Sequence, residues 1–136
     1  MTVLVPYDGS RPAQQAVEYA VDNWGDRRLV LLRVIEFADG SLEAGVDLIK
    51  ERLKESRDEG AAELTDDLLA TLADVDYDVE TVVGKPAREI VGYAEATDVE
   101  AIVIGSHGRT GASRVLLGSV AQTVVRRAPV PVTVVR

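Results

Sequence analysis

The chain has 136 residues, contains no cysteine and carries a formal net charge of −8 at pH 7. That length supports one hydrophobic core, so we expect a single domain over residues 1–136. The lack of cysteine excludes disulfides and thiolate metal sites, and the acidic balance argues against a nucleic-acid-binding protein with a basic face. No apolar run approaches the roughly 18 residues of a membrane-spanning helix, and the N-terminus lacks a secretion signal pattern. We therefore expect a cytoplasmic protein without membrane or nucleic-acid partners.

Strand and helix patterns alternate along the chain, beginning with the apolar run TVLVP over residues 2–6. Ser10 is placed to cap the helix that follows, and Pro12 suits the first turn of that helix. The helical pattern ends at about Trp24. The run RLVLLRVI then predicts a second buried strand over residues 28–35.

The middle of the chain continues this alternation. A helical pattern rich in charged residues extends over about 42–72, and we expect it to be loosened at Gly60. YDVETVV, residues 77–83, alternates between apolar and polar positions, which favours a half-exposed strand at a sheet edge. KPAREIVGYAEAT predicts a helix over residues 85–97, and EAIVIG predicts a buried strand over residues 100–105.

The C-terminal part predicts a helix over about 118–127 and a last strand in APVPVTVV, residues 128–135. Strands and helices that alternate at this spacing require right-handed crossovers. We therefore predict an α/β fold, an open five-stranded parallel sheet with helices on both faces. Ligands of such sheets bind beyond the carboxyl ends of the strands, where the strand order reverses. If the first and fourth strands are neighbours there, the loops after both open into one crevice.

Charge is distributed unevenly along the sequence. The first hundred residues hold all 23 acidic residues, whereas residues 101–136 hold five arginines and no acid. One interpretation is a solvated acidic face, and the other is an anion-binding site in the C-terminal quarter. Only three of the fifteen basic residues are lysines, a composition that suits a high-salt cytosol.

The segment GSHGRTGASRVLLGS, residues 105–119, joins the fourth strand to the last helix and contains four glycines. Glycines let a backbone turn and approach a ligand closely, and consecutive amides in such a turn form a nest for anionic oxygens. The start of the last helix adds free N–H groups and the positive end of its dipole. These features favour a polyphosphate ligand, although glycines also serve ordinary tight turns. A Walker A loop does not fit, because the segment has no lysine.

The same segment resembles the C-terminal signature of the universal stress protein family: two glycines separated by two residues, nine further residues, then Gly-Ser or Gly-Thr. VLVPYDGS also resembles the opening strand and loop of that family, and PVPVTVV resembles its ending. Members with the complete signature bind ATP, so the resemblance implies an ATP site, with Mg²⁺ or Mn²⁺ as candidate metals. It also implies a Rossmann-like fold of the adenine nucleotide alpha hydrolase type, with strand order 3-2-1-4-5.

The resemblance further implies which residues surround the nucleotide. Pro6 and Asp8 would border the adenosine, with Asp8 near the ribose and a candidate metal ligand together with the ATP phosphates. Val34 would offer main-chain hydrogen bonds to the adenine edge. The residues implied around the ribose and phosphates are Gly105, His107, Gly108, Arg109, Gly111, Gly118, Ser119 and Val120. Two alternatives stay open: Asp8 also suits a turn-capping role, and His107 an ordinary hydrogen-bonding one.

Two classes of function are compatible with such a site. The first is a cytosolic nucleotide-dependent regulator or sensor of stress, favoured because His107 has no acidic partner nearby in the sequence to make it a base. The alternative is a slow ATPase or a phosphoryl- or adenylyl-transfer enzyme at the same site, with Asp8 helping to hold the metal. No motif identifies a regulatory protein partner.

The last strand is strongly apolar although it belongs at a sheet edge. Such edges pair readily with another chain, so we expect a two-fold homodimer through residues 130–136, as in members of the resembled family. The alternative is a monomer whose own helix covers this edge.

Overall fold

The computed structural model describes residues 1–36, 64–106 and 117–136. The strands within these ranges are β1 (Thr2–Pro6), β2 (Arg28–Ile35), β3 (Tyr77–Val83), β4 (Val99–Gly105) and β5 (Val132–Val135). The helices are α1 (Arg11–Trp24), α2 (Asp66–Thr71), α3 (Pro86–Ala96) and α4 (Ser119–Arg127). All five strands form one parallel sheet in the order β3-β2-β1-β4-β5. The predicted fold and strand order are confirmed.

The two faces of the sheet are covered by different helices, which gives two layers of core. Side chains that alternate along the strands divide between the layers. The layer under α1 and α2 includes Val3, Val5, Leu31, Leu68 and Val103. The layer under α3 and α4 includes Leu4, Leu32, Ile90, Ile102 and Val124. Because β1, β2 and β4 bury both faces, they read in the sequence as continuous apolar runs.

The first helix forms where its sequence signals predict it. The Ser10 hydroxyl oxygen accepts a hydrogen bond from the Ala13 N–H at 3.2 Å, and Pro12 lies in the first turn of α1. This cap satisfies one of the N–H groups that the start of a helix leaves without an intrahelical partner. The helix ends at Trp24, with Gly25 as its C-cap.

The helix predicted over about 42–72 differs from the structure at its C-terminal end. Residues 37–63 lie outside the described ranges, so its first part is not described. Thr65 has an extended backbone, and its hydroxyl oxygen accepts the Leu68 N–H at 3.2 Å, so α2 begins afresh at Asp66. Threonine side chains that bond the backbone favour helix starts over helix interiors. The prediction of one helix continuing through this point was wrong.

The last strand is shorter than predicted. It covers Val132–Val135 rather than residues 128–135. Pro129 and Pro131 lack the N–H that a strand donates to its neighbour, and pairing with β4 begins where the Ile102 N–H donates to the Pro131 carbonyl at 2.9 Å. No helix within the described ranges is long and apolar enough to cross a membrane.

A polar cluster lies where β2 pairs with β3, on the face of the sheet that α3 covers. Arg28 pairs with Asp78, and the Tyr93 hydroxyl donates a hydrogen bond to the Glu80 carboxylate. Burial, and then the bond to Glu80, raise the pKa of Tyr93 from 10.0 to about 12, with Arg28 acting in the opposite direction. The folded protein therefore holds this phenol proton more tightly than the unfolded chain.

This shift predicts a loss of stability in alkali. A raised folded-state pKa stabilises the protein fully below pH 10.0, and this stabilisation is lost as the pH rises from 10.0 to about 12. Urea unfolding across this range should show the wild type losing stability more steeply than a Tyr93→Phe variant. If the free energy of unfolding changed with pH equally in the two proteins, the raised pKa would not belong to Tyr93.

Candidate functional site

The hydrogen-bonded ladder between β1 and β4 has a gap at the carboxyl ends of the two strands. Their pairing runs from Thr2 to Leu4, which lies opposite Ile102, but the two strands continue to Pro6 and Gly105. The chain leaves β1 for β2 on one side of this gap and enters β5 from β4 on the other. The strand order therefore reverses here, and this is the position at which sheets of this kind form the crevice that binds their ligands.

The turn after β1 is shaped by Asp8. Its Oδ1 atom accepts the Ser10 N–H at 2.9 Å, and Gly9 between them has a φ of 80°, which glycine adopts without strain. The Tyr7 N–H donates to the Leu32 carbonyl at 2.9 Å and so extends the β1–β2 ladder by one residue. Asp8 thus has the turn-forming role considered for it, in addition to any contact with a ligand.

The main-chain groups of Val34 point toward the crevice. The Leu32 carbonyl faces β1, because it accepts the Tyr7 N–H, and the Ile35 carbonyl faces β3, because it accepts the Gly84 N–H at 2.9 Å. Main-chain groups of successive strand residues face opposite neighbours, so those of Val34 face the same side as those of Leu32. Since β1–β2 strand pairing ends at Leu32, the Val34 groups lie beyond the end of β1.

Gly105, at the end of β4, lies against the first turn of α1. A Cβ atom at this position would be 2.8 Å from both the main-chain carbon and the carbonyl oxygen of Pro12. That separation is shorter than real side chains tolerate, so only glycine allows β4 and α1 to approach this closely. Packing alone explains the glycine at this position, whether or not a ligand contacts it.

The start of α4 is attached to the end of β4 by main-chain hydrogen bonds. The Gly118 N–H donates to the Ser106 carbonyl, and the Ser106 N–H donates to the Val135 carbonyl at 2.9 Å. Ser106 is only 4% exposed. The predicted phosphate-binding turn is therefore held beside the crevice, but the Gly118 N–H itself is used within the protein.

The N–H groups that α4 directs outward are those of its first turn. Gly118 is the N-cap and provides no side-chain cap, and the first intrahelical bond runs from the Gln122 N–H to the Gly118 carbonyl at 2.9 Å. The preceding N–H groups, of Ser119, Val120 and Ala121, have no intrahelical acceptor. They coincide with the positive end of the helix dipole, an arrangement that attracts anions.

Seven of the predicted site residues fall within the described ranges: Pro6, Asp8, Val34, Gly105, Gly118, Ser119 and Val120. All seven lie at the carboxyl edge of the sheet or at the start of α4. The remaining four, His107, Gly108, Arg109 and Gly111, lie outside the described residues. Sequence reasoning gave Pro12 a role only in the helix start and gave Ser106 none, because both contribute here through main-chain atoms.

The metal prediction rests on Asp8. Within residues 1–36, 64–106 and 117–136, no group of three or more His, Asp or Glu side chains is arranged to hold an ion. Mg²⁺ is commonly bound by one or two carboxylates together with substrate phosphates and water. A single carboxylate at the crevice therefore fits a metal that arrives with a phosphate ligand.

Comparison with known proteins gives one consistent family. The model of the universal stress protein family matches residues 1–136. The universal stress protein MJ0531 of Methanocaldococcus jannaschii is 34% identical over 139 residues, which cover 98% of this chain and 81% of that protein.

Solved structures show the same fold. UspA from Lactobacillus plantarum has a TM-score of 0.81 at 27% identity, covering 100% of this chain and 97% of that one. MJ0577 of Methanocaldococcus jannaschii has a TM-score of 0.73 at 32% identity, covering 98% and 94%. Two more distant universal stress proteins of this fold were solved with nucleotides, one with cAMP at 24% identity and one from Archaeoglobus fulgidus with dAMP at 21%.

Proposed function

The chain belongs to the universal stress protein family, and from this premise we propose that it is a cytoplasmic ATP-binding regulator or sensor of a stress response. The observation that carries the proposal is the position of the α4 first turn beside the gap between β1 and β4. The main-chain N–H groups of this turn without intrahelical acceptors would bind phosphate at the edge of the sheet where parallel sheets bind their ligands. The complete glycine signature of residues 105–119 leads into this turn.

The adenosine end of the ligand fits the ends of β1 and β2. The Val34 N–H and carbonyl supply one donor and one acceptor beyond the end of β1, which suits the acceptor and donor pattern of the adenine edge. Pro6 and Asp8 follow on the neighbouring strand and would border the adenosine and its ribose. An adenine nucleotide is therefore the ligand class that we propose.

The phosphate end fits the start of α4. The Ser119 and Val120 N–H groups would donate to phosphate oxygens, and the Ser119 hydroxyl is available as a further donor. We propose that the segment with His107, Gly108, Arg109 and Gly111 completes this cradle, since its glycines permit close approach of the backbone. A Mg²⁺ or Mn²⁺ ion bound to Asp8 and the phosphates would offset the charge of the triphosphate.

Bound cAMP and dAMP in two proteins of this family support an adenine nucleotide as the ligand class. Mass spectrometry of the nucleotide that copurifies with the protein tests the identity, and we expect ATP. Incubation of the pure protein with excess ATP separates the two functional classes. Recovery of intact ATP supports the regulator, whereas release of ADP or AMP over many turnovers would support the enzyme.

We also propose that the protein is a homodimer through residues 130–136. The Pro131 and Val135 carbonyls both accept bonds from β4, so by alternation the Val132 and Val134 main-chain groups face the open edge. A second copy of β5 would find its hydrogen-bond partners there.

Replacing Val134 with proline tests this pairing without breaking the β4–β5 ladder. The substitution exchanges one half-buried apolar side chain for another and removes an N–H that faces the open edge, a position where strands tolerate proline. We expect light scattering to show a monomer that stays folded. Thr133→Pro is the matched control, since it removes an N–H that faces β4 and should destabilise the fold. A Val134→Pro protein with the mass of a dimer would refute strand pairing.

A further inference from the structure

The C-terminal strand is connected to the start of α4 by consecutive main-chain hydrogen bonds. The Val135 carbonyl accepts the Ser106 N–H at 2.9 Å, and the Ser106 carbonyl accepts the Gly118 N–H. The Gly118 carbonyl in turn accepts the first intrahelical bond of α4, from Gln122 at 2.9 Å. The path thus runs from the last residue of β5 to the turn whose N–H groups have no intrahelical acceptors.

This path passes through residues that have little room to move. Ser106 is 4% exposed, and the residue before it, Gly105, is packed directly against the Pro12 main chain. Val135 is held in turn by its side chain, which packs against the core layer under α1. A shift of β5 at this end therefore moves Ser106 or breaks its bond, and either change displaces Gly118.

The placement of α4 matters because phosphate binding depends on hydrogen-bond geometry. Hydrogen bonds weaken steeply when the N–H is misaligned with its acceptor. Groups that bind a ligand must therefore be held within about 0.5 Å of the positions that binding requires. The start of α4 is held by core packing of Val120 and Ala121 and, at its N-cap, by the bond from the Gly118 N–H to the Ser106 carbonyl.

We propose that Val135 is a positioning residue for the phosphates of the nucleotide, acting through the main chain of Ser106. The inference rests on the proposed ATP site and adds a way in which that site is regulated. The position of β5 against β4 and the binding of the phosphates are coupled. Because such coupling is reciprocal, ATP holds β5 in place as β5 holds the phosphate-binding turn. Because adenosine has no phosphate, its binding does not depend on the position of β5.

Val135→Gly tests the proposal against the matched control Val132→Gly. Both remove a half-buried valine from β5, but Val132 lies about 10 Å from Val135 along the strand and pairs with Ile102 at the other end. Affinities for ATP and for adenosine are measured for each protein. We expect Val135→Gly to weaken ATP binding by about 5-fold to 20-fold, with adenosine affinity unchanged. Val132→Gly should keep the wild-type ratio of the two affinities.

The outcomes separate this proposal from the proposed function. The positioning role alone is overturned if the wild type binds ATP and the ratio of ATP affinity to adenosine affinity is the same in both variants. Wild-type protein that does not bind ATP overturns the proposed function. Hydrogen exchange of the wild type needs no variant: ATP, but not adenosine, should slow exchange of the Val135 N–H. Equal exchange with either ligand would also overturn the positioning role.

Discussion

Replacing Gly118 with valine is expected to lower the affinity for ATP by about 100-fold or more, equivalent to at least about 2.7 kcal/mol, while the chain stays folded. Gly118 has φ −67° and ψ 160°, a conformation that valine adopts without strain. The branched side chain would enter the space in which the proposed phosphates reach the Ser119 and Val120 N–H groups. Calorimetric titration with ATP measures the loss.

The control for this variant is Gly92→Ala. A Cβ at Gly92, on the exposed side of α3, has no neighbouring atom within 4 Å. Because alanine is the better helix former, this change should raise stability by about 0.5–1 kcal/mol and leave ATP binding unchanged. Valine is a poor N-cap, so urea unfolding must establish that Gly118→Val is folded. Wild-type affinity in that folded variant would refute the phosphate assignment.

The second large effect is expected on stability. Gly105→Ala should lower the free energy of unfolding by about 1–3 kcal/mol, the usual cost of overpacking. The added Cβ would lie 2.8 Å from the Pro12 main chain, and neither side yields easily, since Pro12 is in the capped first turn of α1 and Gly105 is within β4. Urea denaturation measures the change.

Gly92→Ala again provides the comparison, because the same chemical change should have the opposite sign there. A Gly105→Ala protein as stable as the wild type would mean that β4 and α1 do not approach as closely as the structure has them. The pair of variants therefore separates the tight contact from the general effect of replacing a glycine.

The five strands and the parallel sheet followed from the sequence because its apolar pattern records which strand faces are buried, whereas the strand order was implied by the family resemblance. β1, β2 and β4 are apolar on both faces, and each face packs against a different core layer. The alternating run of β3 marked it as an edge strand, where it lies. Ser10 likewise predicted the start of α1, since its hydroxyl caps locally.

The start of α2 could not be predicted from hydrophobic periodicity. Leu64, Leu68 and Leu72 are all buried and four residues apart, so the helical pattern continues across Thr65 although the helix does not. What decides the break is one hydrogen bond between the Thr65 hydroxyl and the Leu68 N–H. A threonine in a charged, periodic segment gives only a weak sign of this.

The site was predictable to the extent that it depends on glycine spacing. The signature located the start of α4, but it gave Gly105 a ligand-binding role, whereas the structure also gives it a packing role against Pro12. Ser106 left no signal, because its contribution is made by its N–H and carbonyl. Tertiary contacts between main-chain atoms are independent of side-chain type and do not appear in a residue pattern.

In the proposed site, main-chain N–H groups at the start of α4, beside the end of β4, bind the phosphates of ATP. Equilibrium dialysis of the folded protein against ATP tests it most directly. We expect saturable binding of one ATP per chain, which Gly118→Val weakens by about 100-fold or more and Gly92→Ala preserves. Binding of phosphates at this turn would be ruled out if the folded wild-type protein took up no ATP, or if the folded Gly118→Val variant bound it equally well.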